Sequence, residues 1–126
     1  RFVGSFQARS LNHFTNELVS FLRYVQFKAI EEGSVHKLEI DSEEGRLIGS
    51  AQAEASSTFE EISTPFSSRF GSKLPFTVEL ERGKEVYFFP DGSVTPNKFV
   101  FGDETEERAS IAIKNRLVAF EVAFHE

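Results

Sequence analysis

The 126-residue chain has no cysteine, no methionine and no tryptophan, and it has only two tyrosines beside fifteen phenylalanines. Without cysteine there are no disulfides, no thiol catalysis and no thiolate metal sites. The compartment stays open, because a cysteine-free domain suits cytoplasm and periplasm alike. No methionine opens the chain, so it is expected to be a processed or trimmed product. No apolar run approaches the roughly 20 residues that cross a bilayer. Basic residues are not in excess either: fourteen Lys and Arg against twenty Asp and Glu give a net charge of −6, with the acids spread along the chain. A general nucleic-acid binder presents the opposite balance to phosphate, so nucleic acid is not an expected partner. What is there, at 40% hydrophobic residues, is enough for one compact domain whose core is filled by plain aromatic bulk.

The first 33 residues have a different period from the rest. Leu11, Phe14, Leu18, Phe21, Leu22, Val25 and Ala29 recur at three- and four-residue steps, and at about 100° per residue they fall within roughly one quadrant of a helix. This predicts one long amphipathic helix over residues 1–33 with that stripe turned to the core. Gly33 stops it, since glycine adopts the left-handed conformation that closes a helix. Glu31 and Glu32 just before it oppose the helix dipole, and the sequence offers no reason for the pair. At about 1.5 Å per residue the helix is roughly 45 Å long, whereas the roughly 90 residues after it make a ball of about 30 Å. The helix is therefore expected to overhang its own domain, leaving Phe2, Val3 and Phe6 to be covered from outside the chain. Phe2, Phe6, Val19, Phe27 and Ile30 lie off the core stripe; for Phe27 and Ile30 a loop or a curling sheet is an available cover.

Beyond Gly33 the period alternates. Val35 to Ile40 reads as a strand, Asp41-Ser42-Glu43-Glu44-Gly45 as a turn and Arg46 to Ile48 as the returning strand. Residues 49–75 are rich in Ser, Thr, Ala and Gly, with Phe59, Ile62, Phe66 and Phe70 as spaced apolar anchors. A segment of that length reads as an ordered loop with one short strand around Thr58 to Ile62, or as a mobile recognition loop. Phe76 to Leu80 alternates, Glu85 to Phe89 forms a strand, and Pro90-Asp91-Gly92-Ser93 has turn chemistry. Lys98 to Phe101 is extended and Gly102 to Glu107 is an acidic turn. Arg108 to Lys114 then pairs with Leu117 to Phe124 across Asn115-Arg116. Val118, Phe120, Val122 and Phe124 share a face, matched by Ile111 and Ile113, which predicts an antiparallel meander with one buried face. Helix and strands come in separate blocks. The expected class is α+β, a single domain over 1–126: a helix over 1–33 packed on antiparallel sheet in a β-rich head over 34–126.

Residues for chemistry are sparse. His13, His36 and His125 make no pair at zinc-ligand spacing. Serines lack a Gly-x-Ser-x-Gly elbow or a Ser-x-x-Lys motif. The clusters Asp41, Glu43, Glu44 and Asp103, Glu104, Glu106, Glu107 lack the spacing of a calcium loop and read as solvated turns. Phosphate-binding glycine signatures are missing as well. No catalytic residue, cofactor or metal is assigned, and no enzymatic activity is expected.

Two stretches resemble a known family, the GspH/FimT minor pilin-like proteins of type II secretion pseudopili and type IV pili. One is the run from Glu17 through Leu18-Val19-Ser20-Phe21-Leu22-Arg23-Tyr24-Val25 to Glu32-Gly33, followed by Val35-His36-Lys37-Leu38. The other is Val86-Tyr87-Phe88-Phe89-Pro90-Asp91-Gly92-Ser93, an aromatic strand entering a Pro-Asp-Gly-Ser turn, with a closing hairpin near the C-terminus. Residues 49–75 stay unaligned. The resemblance implies a basic leader and a strongly apolar helical half before Arg1, anchoring a periplasmic head in the inner membrane. It also implies that helices bundle along a filament axis, which gives Phe2, Val3 and Phe6 their cover. Members linked to DNA uptake are basic near the last hairpin. This chain has Asn115-Arg116-Leu117-Val118 there, with Glu121 and Glu126 after it, which argues against that branch.

The reading reached is a structural minor pseudopilin, with other pseudopilins of the same filament and secreted cargo as partners. Phe2, Val3 and Phe6 form the expected filament-assembly interface; Phe59, Phe66 and Phe70 form the expected partner-recognition loop. Two rivals stay open: a minor pilin of a type IV pilus, and a small β-rich ligand-binding module or hydrolase.

Overall fold

The computed structural model describes residues 2–53, 57–70, 74, 77–102, 107–114 and 120–124, with side chains at all of these except 2–11, 68, 69, 107, 108, 120, 121 and 124. A single long helix, α1 (Phe2–Glu32), is followed by β1 (His36–Asp41), β2 (Arg46–Gln52), β3 (Phe59–Glu61), the short helix α2 (Ser67–Phe70), β4 (Thr77–Leu80), β5 (Glu85–Phe88), β6 (Asn97–Gly102), β7 (Glu107–Ile113) and β8 (Phe120–Phe124). The strands form two antiparallel four-stranded sheets, ordered β3-β2-β1-β5 and β4-β6-β7-β8. The helix packs on both, touching β1 and β5 of the first and β7 of the second. This is an α+β architecture with the helix lying on antiparallel sheets.

The helical period decides which face of α1 is buried. Phe14, Leu18, Phe21, Leu22, Val25 and Ala29 are all buried, as their spacing predicts. They meet alternating residues of the strands: His36, Leu38 and Ile40 on β1, Val86 and Phe88 on β5, Phe99 and Phe101 on β6, Ile111 and Ile113 on β7. Rings lock the layers. Phe14 stands edge-on to Phe101 at 5.3 Å and to Phe70 of α2 at 5.5 Å. Phe21 stacks on Phe70 and on Phe66, each at 5.2 Å. Each such buried side chain contributes about 1.5–3 kcal/mol through area removed from water.

The first hairpin forms with Asp41 opposite Arg46, and the Asp41 carboxylate accepts the backbone N–H groups of Glu43 and Glu44 at 3.1 and 3.2 Å. That acidic cluster is a turn whose lead carboxylate is spent on its own backbone. The short strand expected around Thr58 to Ile62 is β3, which pairs with the far end of β2. The acidic turn at 103–106, the closing turn at 115–116, residues 117–119 and His125 lie outside the described residues.

Two expectations for the last third need correction. It is not one meander. β4 pairs with β6, whereas β5 crosses to the other sheet and pairs with β1. The crossover between them is pinned to both sheets: the Asn97 side-chain carbonyl accepts the Arg82 N–H at 3.1 Å while its amide donates to the Arg82 carbonyl at 2.8 Å, and Ile40 N–H donates to the Lys84 carbonyl at 3.0 Å. Alternation fixes the face a strand buries, not the neighbour it pairs with. The second correction concerns Val122. It does pair with Ile111, but β8 is an edge strand, and Val122 is 41% exposed while Ile111 is fully buried.

Candidate functional site

The chain's assembly candidates divide between the two ends of α1 and the segment after β2. Phe2, Val3 and Phe6 lie on α1, whose backbone is helical from Phe2 onward; their side chains are outside the described residues. At 31 residues the helix is about 46 Å long. Among the side chains described, its buried residues run from Phe14 to Ala29.

The expected recognition loop does not form one surface. Phe70 is fully buried against Phe14 and Phe21, so its ring cannot meet a partner, and the recognition role for it is withdrawn. Phe66 is half-buried, stacked on Phe21 and edge-on to Tyr24 at 5.9 Å. Phe59 belongs to β3, opposite Gln52. Its ring lies 6.0 Å from that of Tyr87 and beneath the Lys37 ammonium at 4.7 Å. The anchors spaced along 49–75 thus serve two destinations: Phe70 of α2 dips into the core, and β3 forms one edge of its sheet with the Phe59 ring beside Tyr87 and Lys37. Neither destination is visible in spacing alone.

Beside Phe59, Tyr87 O–H donates to Glu85 at 2.7 Å, and Lys37 donates to the other Glu85 oxygen at 3.2 Å. The Tyr87 hydrogen bond, helped by Lys37, holds the Glu85 carboxyl below its usual range, and the same bond pushes the Tyr87 hydroxyl up.

The far end of α1 accounts for the two acids that the sequence left unexplained. Gly33 takes φ +65° and Ser34 N–H bonds back to the Ala29 carbonyl at 3.2 Å, closing the helix. Lys28 reaches Glu31 at 3.1 Å and Glu32 at 3.2 Å, and these two bonds raise its pKa. The second Glu32 oxygen faces Nε2 of His36 at 3.4 Å. His36 is fully buried, and its Nδ1 sits 3.1 Å from the Ser34 carbonyl, to which it donates. Its inward position was available from alternation with Leu38 and Ile40, but a lone histidine in a strand gives no sign of its partners.

Gln26 joins the two stretches that carried the family resemblance. Its buried side chain donates to the Gly92 carbonyl at 2.7 Å. Gly92 itself holds φ +92°, a conformation costly for residues with a Cβ, inside a turn where Asp91 accepts the Ser93 N–H at 2.9 Å and its hydroxyl at 2.6 Å. Helix and aromatic strand are thereby held in one fixed relation. On the opposite side of α1, Phe27 is 58% and Ile30 49% exposed; neither loop nor sheet covers them.

No family model and no curated protein matches the chain by sequence. Solved structures do match it in fold. The minor pseudopilin EpsH from the type 2 secretion system of Vibrio cholerae superposes with a TM-score of 0.67 at 13% identity, covering 90% of this chain and 95% of that one. A second EpsH structure gives 0.62 at 14%, over 84% and 91%. Escherichia coli GspH gives 0.67 at 9%, over 85% and 82%. The fold is that of a GspH-like minor pseudopilin. At such identities the likeness carries backbone architecture alone. Among the described residues, no group of three or more His, Cys, Asp or Glu is placed to hold a metal, and no helix is long and apolar enough to cross a membrane.

Proposed function

We propose that this chain is a structural minor pseudopilin of a type II secretion system, built into the periplasmic pseudopilus at or near its tip through α1. The observation that supports the reading is the architecture: a 31-residue helix laid on two antiparallel four-stranded sheets, shared with solved minor pseudopilins at TM-scores of 0.62 to 0.67. At about 1.5 Å per residue that helix is longer than the ball of about 30 Å that the residues after it make. Phe2, Val3 and Phe6 then serve the filament, packing against helices of neighbouring pseudopilins. On this reading the head is periplasmic and an apolar segment ahead of Arg1 holds it in the inner membrane before assembly. Its role is mechanical, and secreted protein meets the assembled filament.

The test restores the full-length chain to a secretion-competent cell that lacks it and changes Phe2 and Phe6 together to Asp. Secretion is expected to stop while the isolated head keeps its melting temperature. Normal export by the variant would remove the assembly role from these residues. Loss of twitching motility with secretion intact would transfer the chain to a type IV pilus.

A further inference from the structure

A polar side chain closes one flank of the buried stripe of α1. Phe14, Leu18, Leu22, Gln26 and Ile30 follow one another at four-residue steps, each about 40° further round the helix than the last. Phe14, Leu18 and Leu22 are buried, Gln26 is buried too at 6% exposure, and Ile30, one step beyond, stands open. Phe27, about 100° round from Gln26, stands open as well. An amide is thus enclosed while an isoleucine and a phenylalanine beside it face solvent. Burial of apolar area does not explain that boundary, since it favours the ring and the branched side chain over the amide. Nor does the link to β1 explain it. The three residues between Glu32 and His36 hold the end of the helix against sliding more than against turning.

What draws the boundary is a directional bond. Gln26 Nε2 donates to the Gly92 carbonyl at 2.7 Å, and that carbonyl belongs to a braced turn. Gly92 N–H donates to the Phe89 carbonyl and Phe89 N–H to the Ser93 carbonyl, each at 2.9 Å, while Phe88 bridges to Val94 and β5 pairs with β1. Rotating α1 by about 40° carries a side-chain end lying about 6 Å from the axis through about 4 Å, which breaks such a bond. With an apolar residue at position 26, the apolar surface would run unbroken from Leu22 to Ile30 and on to Phe27, and the stripe would lose its edge on that side. We infer that Gln26 is a positioning residue whose bond to Gly92 sets the rotation of α1 on the head, keeping Ile30 and Phe27 outward. Selecting one arrangement among several of similar apolar burial is the best-attested use of a buried polar group. The consequence rests on the pseudopilin reading: in a filament built on helices, the rotation of α1 decides which way the head points.

The chain has no cysteine, so Ile30→Cys places a single thiol on the flank in question, and its rate of reaction with dithiobis(nitrobenzoic acid) reads its exposure. Gln26→Leu and Gln26→Met remove the donor and keep a side chain of similar size. In the 126-residue chain each is expected to slow labelling of the thiol at least about threefold, as α1 turns that flank towards the sheets. A merely structural loss would speed labelling by populating open forms. Unchanged or faster labelling in either variant would overturn the inference. In the full-length chain Gln26→Leu is also expected to reduce secretion; normal secretion beside slowed labelling would remove the bearing of the rotation on assembly. The assay with Phe2 and Phe6 fails separately. Normal export by that variant leaves the labelling result standing, and fast labelling beside blocked export keeps the pseudopilin role and loses the positioning residue.

Discussion

The two long faces of α1 carry similar apolar side chains and meet opposite fates. Phe14, Phe21 and Leu22 are buried, whereas Phe27 and Ile30 stand open on the other side. Hydrophobicity does not separate them. What does is continuity: the inner residues recur without a gap from Phe14 to Ala29 and face strands whose alternation supplies a matching surface. The outer face is interrupted by Asn16, Ser20 and Arg23, which no dry core accepts unpaired. A helix can therefore advertise two surfaces, and an unbroken apolar period distinguishes the one its own domain uses.

Breaking the inner face gives the largest expected effects. Phe21→Ala removes a ring stacked on both Phe66 and Phe70 and is expected to cost about 3–5 kcal/mol. Phe70→Ser, from α2, should fall in the same range because that side chain is fully buried. Urea denaturation reads both as a lower midpoint with unchanged slope. A small loss for Phe70→Ser would return that residue to the surface and revive its recognition role. Next in size is the bond that sets the helix on the aromatic strand. Gln26→Ala removes the donor to the Gly92 carbonyl and is expected to cost about 1–3 kcal/mol, the range for a buried acceptor left without its partner. Stability equal to the parent would mean that packing of the stripe alone fixes the helix.

The same contrast explains how much of the molecule was legible beforehand. The stripe, the stop at Gly33, the first hairpin and the turn after β5 rest on short-range rules, and the sequence states those rules within a few residues. The division into two sheets depends on Asn97 holding Arg82 and on β5 choosing β1 as neighbour. Such pairing is long-range, and alternation is the same whichever edge a strand joins. Phe59, Phe66 and Phe70 look alike in a list of spaced aromatics, yet one lies on an outer sheet face and another at the centre of the core. The outer face of α1, with Phe27 and Ile30 exposed beyond a polar stretch of Asn16, Ser20 and Arg23, offers no continuous hydrophobic period to read.

A pH series sharpens the comparison on the outer sheet face, where side chains hold one another instead of a core. The folded Glu85 carboxyl is held below its ordinary value of 4.5, chiefly by Tyr87 and then by Lys37. Its contribution to stability is accordingly present above that value and is lost as pH falls through the lower, folded one. The Tyr87 hydroxyl is raised above 10.0 by the same bond, so its share is present below that value and is lost as pH rises through the folded one. Tyr87→Phe should lower the melting temperature slightly near neutral pH, with the gap to the parent narrowing at both extremes. A gap of constant size across the series would show that the hydroxyl contributes packing and no charge-assisted bond.

The smallest effect is predicted where the exposed apolar area is largest. Phe27→Asp with Ile30→Asp alters side chains 58% and 49% exposed, with little contact in this chain to lose. Aspartate near a helix C-terminus is mildly unfavourable through the dipole. Lys28, already bridging Glu31 and Glu32, places positive charge beside the new acids and offsets part of that cost. The net change in unfolding free energy is expected to stay within about 0.5 kcal/mol, as for surface positions in general. A loss approaching that of Phe21→Ala would mean that these side chains pack within their own domain, and the two faces of α1 would no longer differ in kind.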